Sequence, residues 1–121
     1  MKKLGQERLE IGYSCPIEAT VDIIGGKWKS VILFHLLAGK KRFGELQRLL
    51  PGVTQRMLTL QLRELEEDGI IYRHVYREVP PKVEYSFTDF GESLQPILLQ
   101  MRDWGQEYMQ TLVERKRRVP A

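Results

Sequence analysis

Residues 51–71, "PGVTQRMLTLQLRELEEDGII", place apolar side chains at helical spacing while the outer face changes polarity along its length. Pro51-Gly52 makes a turn, Thr54 is positioned to cap a helix, and Asp68-Gly69 stops it. Between those limits Leu58, Leu62 and Leu65 fall at i, i+4 and i+7. The face opposite that stripe is Arg56, Leu60, Arg63 and Glu67, flanked by Thr59. The first turns expose Thr54, Gln55, Arg56, Thr59 and Arg63, whereas the last turn carries Glu64, Glu66, Glu67 and Asp68. A solvated helix often has mixed charge, so the meaning of this switch depends on what flanks it.

Upstream, Pro16 suits a first helical position and Glu18 the positive end of the helix dipole; Ile17, Val21 and Ile24 follow at helical spacing until Gly25-Gly26. A second helix, about 27–37, places Trp28, Val31, Ile32 and Leu36 on one side, and "KKRF" (40–43) is a short extended bridge. A brief helix over about 43–50 turns Leu46, Leu49 and Leu50 inward. Downstream, "IIYRHVYR" (70–77) and "VEYSF" (83–87) are rich in β-branched and aromatic residues and are joined by the proline-stiffened "EVPPK". From Thr88 the chain is helical again, with a long stripe of Leu94, Leu98, Met101, Trp104, Tyr108 and Leu112; Pro96 should kink or split it near its first turns. The expected fold is mainly α with a small β-hairpin, an α+β class.

Two short helices joined by "LLPGVT" and followed directly by a hairpin match a helix-turn-helix with a wing. In that motif the second helix enters the major groove of DNA by its N-terminus. Gln55 then offers a donor and an acceptor to adenine, Arg56 a fork for guanine, and Thr59 a hydroxyl and a methyl group. Acidic side chains belong at the end that leaves the groove, away from phosphates, which accounts for the polarity switch. Arg42 and the wing residues Arg77 and Lys82 are candidates for phosphate contact. Tyr72, Tyr76, Tyr85 and Phe87 are better explained by core packing or wing support than by base stacking.

The bulk composition is compatible with this. The chain has 121 residues, 42% hydrophobic and 29% charged, a formal net charge of +3 and a pI near 9.1. One compact domain over 1–121 is expected, since no repeat, low-complexity run or linker interrupts it. Neither a bilayer-length apolar run nor a signal-peptide core is present, so the expected compartment is the cytoplasm. The two histidines and the lone Cys15 form no zinc spacing and no internal disulfide; no metal, cofactor or enzymatic activity is expected. "GGKW" (25–28) lacks the spacing of a phosphate loop and reads as a helix-to-helix turn with Trp28 anchoring the core.

The order of motifs is more specific. Cys15-Pro16, "GGKW", "RFGEL" (42–46), "LTLQLRELEEDG" (58–69), "EVPPKVEYSFTDFG" (78–91) and the late "WG" (104–105) resemble the HxlR family of bacterial winged-helix transcription regulators, over about residues 15–108. The resemblance implies a homodimeric regulator of double-stranded DNA, here expected to be a repressor at a pseudo-palindromic operator. Residues 109–121 would be the helix end and a basic tail. The surplus of the C-terminal stripe, with Met101, Trp104 and Tyr108 as its seam, and the N-terminal helix are expected to form the two-fold interface. A winged-helix adaptor that binds protein instead of DNA is the alternative reading, because architecture alone does not establish function.

Cys15 is the residue with reaction chemistry. At the N-cap it faces free N–H groups and a dipole that favour thiolate, while the carboxylate of Glu18 opposes it. Some members of the resembled family sense thiol-reactive oxidants or electrophiles through this cysteine. The competing role is a small structural residue holding the first helix. No catalytic His and acid stand near Cys15 in sequence, which argues against a cysteine enzyme.

Overall fold

The computed structural model describes residues 12–118. Its elements are α1 (Pro16–Ile24), α2 (Lys29–Leu36), β1 (Lys41–Arg42), α3 (Phe43–Leu49), α4 (Gln55–Glu67), β2 (Ile71–Tyr76), β3 (Lys82–Phe87), α5 (Asp89–Glu92) and α6 (Gln95–Arg118). The order follows the expectation, including a split of the last helical segment near Pro96. The break precedes Pro96, which then occupies the first turn of α6, where its missing N–H costs nothing. The extreme end of the expected basic tail, 119–121, lies outside the described residues.

The core is a single cluster. Ile32, Leu33 and Leu36 of α2 meet Leu46, Leu50 and Val53, the stripe Leu58, Leu62 and Leu65 of α4, Ile70, Ile71 and Tyr85 of the sheet, and Leu98 of α6. Two expected inward residues are not there. Leu49 is 41% exposed because α3 is too short to bury a second stripe, and Leu50 turns inward just beyond its end. Val31 is also exposed, with Leu33 taking its place in the core.

β3 is the central strand of an antiparallel sheet ordered β1-β3-β2. The bridge "KKRF" therefore does more than connect, since Lys41 and Arg42 pair with Tyr85 and Glu84. The register places Ile71, Arg73, Val75, Val83, Tyr85 and Phe87 on one face of the hairpin and Tyr72, His74, Tyr76, Lys82, Glu84 and Ser86 on the other.

Three polar devices fix α4 within this frame. Thr54 Oγ1 accepts from the Met57 N–H at 3.0 Å, the expected cap. Gly52 adopts φ +91°, which a side chain rarely does, and so permits the turn into α4. Lys29 Nζ lies 2.7 Å from Glu64 Oε1 and is largely buried, stapling α2 to α4. Lys29 is thus withdrawn from the surface, with Glu64 from the acidic end of α4 as its partner. Truncating Glu64 would leave the Lys29 ammonium buried without its partner, which typically costs several kcal/mol.

Candidate nucleic-acid interface

Gln55, Arg56 and Arg63 are exposed on α4, with Thr59 half-buried between them. Their positions follow from the burial of Leu58, Leu62 and Leu65, which orients the opposite face outward. Gln55, Arg56, Thr59, Leu60 and Arg63 line one shallow concavity. On the wing side, Gln55, Thr59 and Arg63 also border a polar groove of about 550 Å³ with Phe43, Leu62, Glu66, Arg73 and Tyr85.

Arg73 is the addition that sequence reading missed. Only the pairing of Arg73 with Tyr85 brings it to the helix-facing side of the sheet. The groove thereby gains a cation from each wall, Arg63 from α4 and Arg73 from β2.

Two candidate readers already spend part of their hydrogen-bonding capacity. The Thr59 hydroxyl donates to the Gln55 carbonyl at 2.8 Å, which leaves its oxygen as an acceptor and its methyl for apolar contact. Thr54 uses its oxygen on the Met57 N–H and keeps a proton to donate. Gln55, Arg56 and Arg63 retain their full side-chain chemistry.

Arg42 and Lys82 are not on the groove wall. Arg42 is the N-cap of α3, its N–H donating to Glu45 Oε1 at 2.7 Å. It pairs with Glu84, and Lys82, on the same side of β3 as Glu84, holds its ammonium 4.5 Å over the Tyr76 ring. Arg77 is exposed directly after β2, at the base of the wing tip. Burial pushes the Glu84 carboxyl up. The Tyr76 hydroxyl, then the charges of Lys82, Lys40 and Arg42, outweigh burial and bring it below the usual carboxylate range. Burial, then the charge of Lys41, lowers His35 and favours its neutral imidazole.

Cys15 is the N-cap of α1, exposed, with an extended backbone and no side-chain capping bond. Glu18 Oε1 accepts instead from the Ser14 N–H at 2.9 Å, just beside the cysteine. On α6 only Leu98 is fully buried; Met101, Trp104 and Tyr108 are 46%, 58% and 44% exposed. Ile17 and Val21 of α1 are exposed as well. Among the described residues no cluster of His, Cys, Asp or Glu is arranged to hold a metal ion, and no helix is long and apolar enough to cross a membrane.

A capped helix at the outer edge of a three-helix core, followed by a three-stranded wing, defines a winged helix-turn-helix protein. The HxlR-like helix-turn-helix family model matches residues 23–113, and the chain belongs to that family. It is 61% identical over 107 residues to the uncharacterized HTH-type transcriptional regulator YdeP of Bacillus subtilis (strain 168), spanning 84% of each chain. The redox regulator HypR in its oxidised form superposes with a TM-score of 0.75 at 62% identity, covering 77% of this chain and 96% of HypR. Its reduced form gives 0.78 at 58% identity, covering 83% and 99%. The relatives are helix-turn-helix transcriptional regulators rather than enzymes, and the chain is a DNA-binding regulator of that type.

Proposed function

We propose that the protein is a single-domain, homodimeric, cytoplasmic repressor that reads a pseudo-palindromic operator with α4 and steadies it with the wing. The observation that carries this is the exposed Gln55–Arg56–Thr59–Arg63 face, cationic and amide-bearing, beside a groove with Arg73 on its far wall. Gln55 and Arg56 supply base-edge chemistry, and Thr59 contributes an acceptor and a methyl group. Thr54 and Arg63 flank them, while Arg42, Arg77 and Lys82 meet phosphates.

Arg56→Ala is expected to weaken operator binding by about 1–3 kcal/mol and to relax preference at one base pair in each half-site. The operator comes from selection of bound genomic fragments, and the comparison is with random duplex at the same salt. Equal weakening on both would remove Arg56 from base readout. An absence of salt-dependent duplex binding by the unmodified protein would favour the adaptor reading instead.

The same proposal includes a thiol response at Cys15. Its exposure at the start of α1, and the similarity to a redox regulator with both oxidised and reduced forms, support it. With a single cysteine in the chain, oxidation has to join two subunits or attach an adduct. Either would disturb α1, whose exposed Ile17 and Val21 are assigned to the dimer interface, and so alter the spacing of the two α4 helices. A coupling of 1.4 kcal/mol would change operator affinity about tenfold. Diamide should therefore shift binding of the wild type and leave Cys15→Ser unaffected; loss in both, or in neither, would exclude Cys15 from the response.

A further inference from the structure

Glu84 stands at the centre of the outer face of the wing sheet. It is paired with Arg42 of β1 on one side and His74 of β2 on the other. Its side chain is only 13% exposed, and Oε1 is shut off from solvent without a hydrogen bond. Lys40 Nζ lies 3.6 Å from that oxygen, within ion-pair range. Tyr76, two pairs further along β2 and on the same face, carries the hydroxyl that lowers the Glu84 carboxyl, and the Lys82 ammonium rests 4.5 Å over the Tyr76 ring.

Carboxylates are unfavourable near DNA, because they repel phosphates that neighbouring cations attract. One that is kept, mostly buried, amid Lys40, Arg42 and Lys82 needs a compensating role. We propose that Glu84 is a positioning residue for the phosphate-contacting cations of the wing. It draws Lys40 in by charge and holds the Tyr76 hydroxyl, and the tethered Tyr76 ring in turn seats Lys82. Two long side chains that would otherwise sample many rotamers, those of Lys40 and Lys82, are thereby gathered on one face before DNA arrives, which lowers the entropy cost of binding. The inference rests on the reading that Arg42 and Lys82 meet phosphate.

The two explanations of Glu84 predict opposite signs. A bystander carboxylate lowers affinity, so Glu84→Gln would strengthen binding to any duplex. A positioning carboxylate raises affinity despite its charge, so Glu84→Gln would weaken it. The test uses the full chain and a short duplex of random sequence, with affinity measured from about 50 to 200 mM salt. Lys82→Ala should weaken binding about threefold at the low-salt end and flatten the salt slope by roughly 1 per subunit. Glu84→Gln should do the same, and the double variant should fall short of the sum because both act through one contact. Tyr76→Phe keeps the ring beneath Lys82 and removes only the hydroxyl; it should move affinity in the same direction, and it decides the matter if Glu84→Gln does not fold. Unchanged or stronger binding by Glu84→Gln, with the Lys82→Ala effect present, overturns the proposal and spares the wing reading. An unchanged slope in Lys82→Ala overturns both.

Discussion

Gly91→Ala is expected to be among the most destabilising single substitutions in the chain, costing about 3 kcal/mol or more and lowering the melting temperature by roughly 10 °C or more. Gly91 is buried in α5, the short helix of the "TDFG" run. A Cβ there would overlap the carbonyl oxygen of Ile70 and stand 2.9 Å from both the Ile70 carbonyl carbon and the Phe87 ring. None of these is a flexible side-chain end, so relief requires α5 to move away from the start of β2. Thr88 opposes that movement. Its N–H donates to the Ile70 carbonyl at 3.0 Å, and its hydroxyl donates to the Gly69 carbonyl at 2.6 Å while accepting from the Gly91 N–H at 2.8 Å. Because φ at Gly91 is not positive, the cost is steric rather than conformational. Gly44→Ala is the matched control: its Cβ meets nothing nearer than the Arg48 guanidinium at 3.7 Å, and it should be neutral or slightly stabilising. Urea or thermal unfolding of both variants checks this. A loss below about 1 kcal/mol in Gly91→Ala would mean that α5 shifts freely and is not locked to the turn before β2.

If the protein is the proposed dimer, Trp104→Ala is expected to separate its subunits and abolish most of the operator affinity. α6 is about 36 Å long but buries only Leu98 fully against its own subunit. Past that point Met101, Trp104 and Tyr108 form an apolar band on solvent, with the Trp104 and Tyr108 rings 5.1 Å apart. The proposed dimer uses this exposed band as its interface, and in a two-fold dimer each substitution is felt twice. A central tryptophan typically contributes about 2–4 kcal/mol per copy. A dimer also makes the second half-site contact intramolecular, which is worth about 10²–10⁴ in avidity, so dissociated subunits should lose affinity on that scale. The half-sites served would be about one helical turn, roughly 34 Å, apart. Sedimentation and operator titration at one protein concentration make the test. An intact dimer that merely melts earlier would assign Trp104 to the subunit's own packing.

Periodicity made most of the architecture legible. Leu58, Leu62 and Leu65 announce α4, Thr54 and Gly52 its start, and alternation along "VEYSF" the strand that became the centre of the sheet. These are local signals, set by 3.6-residue and two-residue repeats and by capping chemistry, and a single chain displays them without knowledge of its neighbours. Leu49 and Val31 were misassigned for the complementary reason: a short helix cannot reveal which of two adjacent apolar residues the core has room for.

Long-range pairing is where local reading stops. The identities of Lys29 and Glu64 say only that both are charged, and their positions in sequence are far apart. Packing of α2 on α4 turns them into an ion pair and withdraws Lys29 from the surface. Arg73 and Glu84 are similar cases, each an ordinary charge on a strand until register set one against the α4 groove and the other among Lys40, Arg42 and Lys82. The order of elements and the outward face of α4 were properties of the sequence itself, because residue spacing dictates them. Which charges meet solvent, which meet each other and which share a wall of the groove were decided by tertiary structure alone, since strand register and helix packing bring together residues that the chain keeps apart.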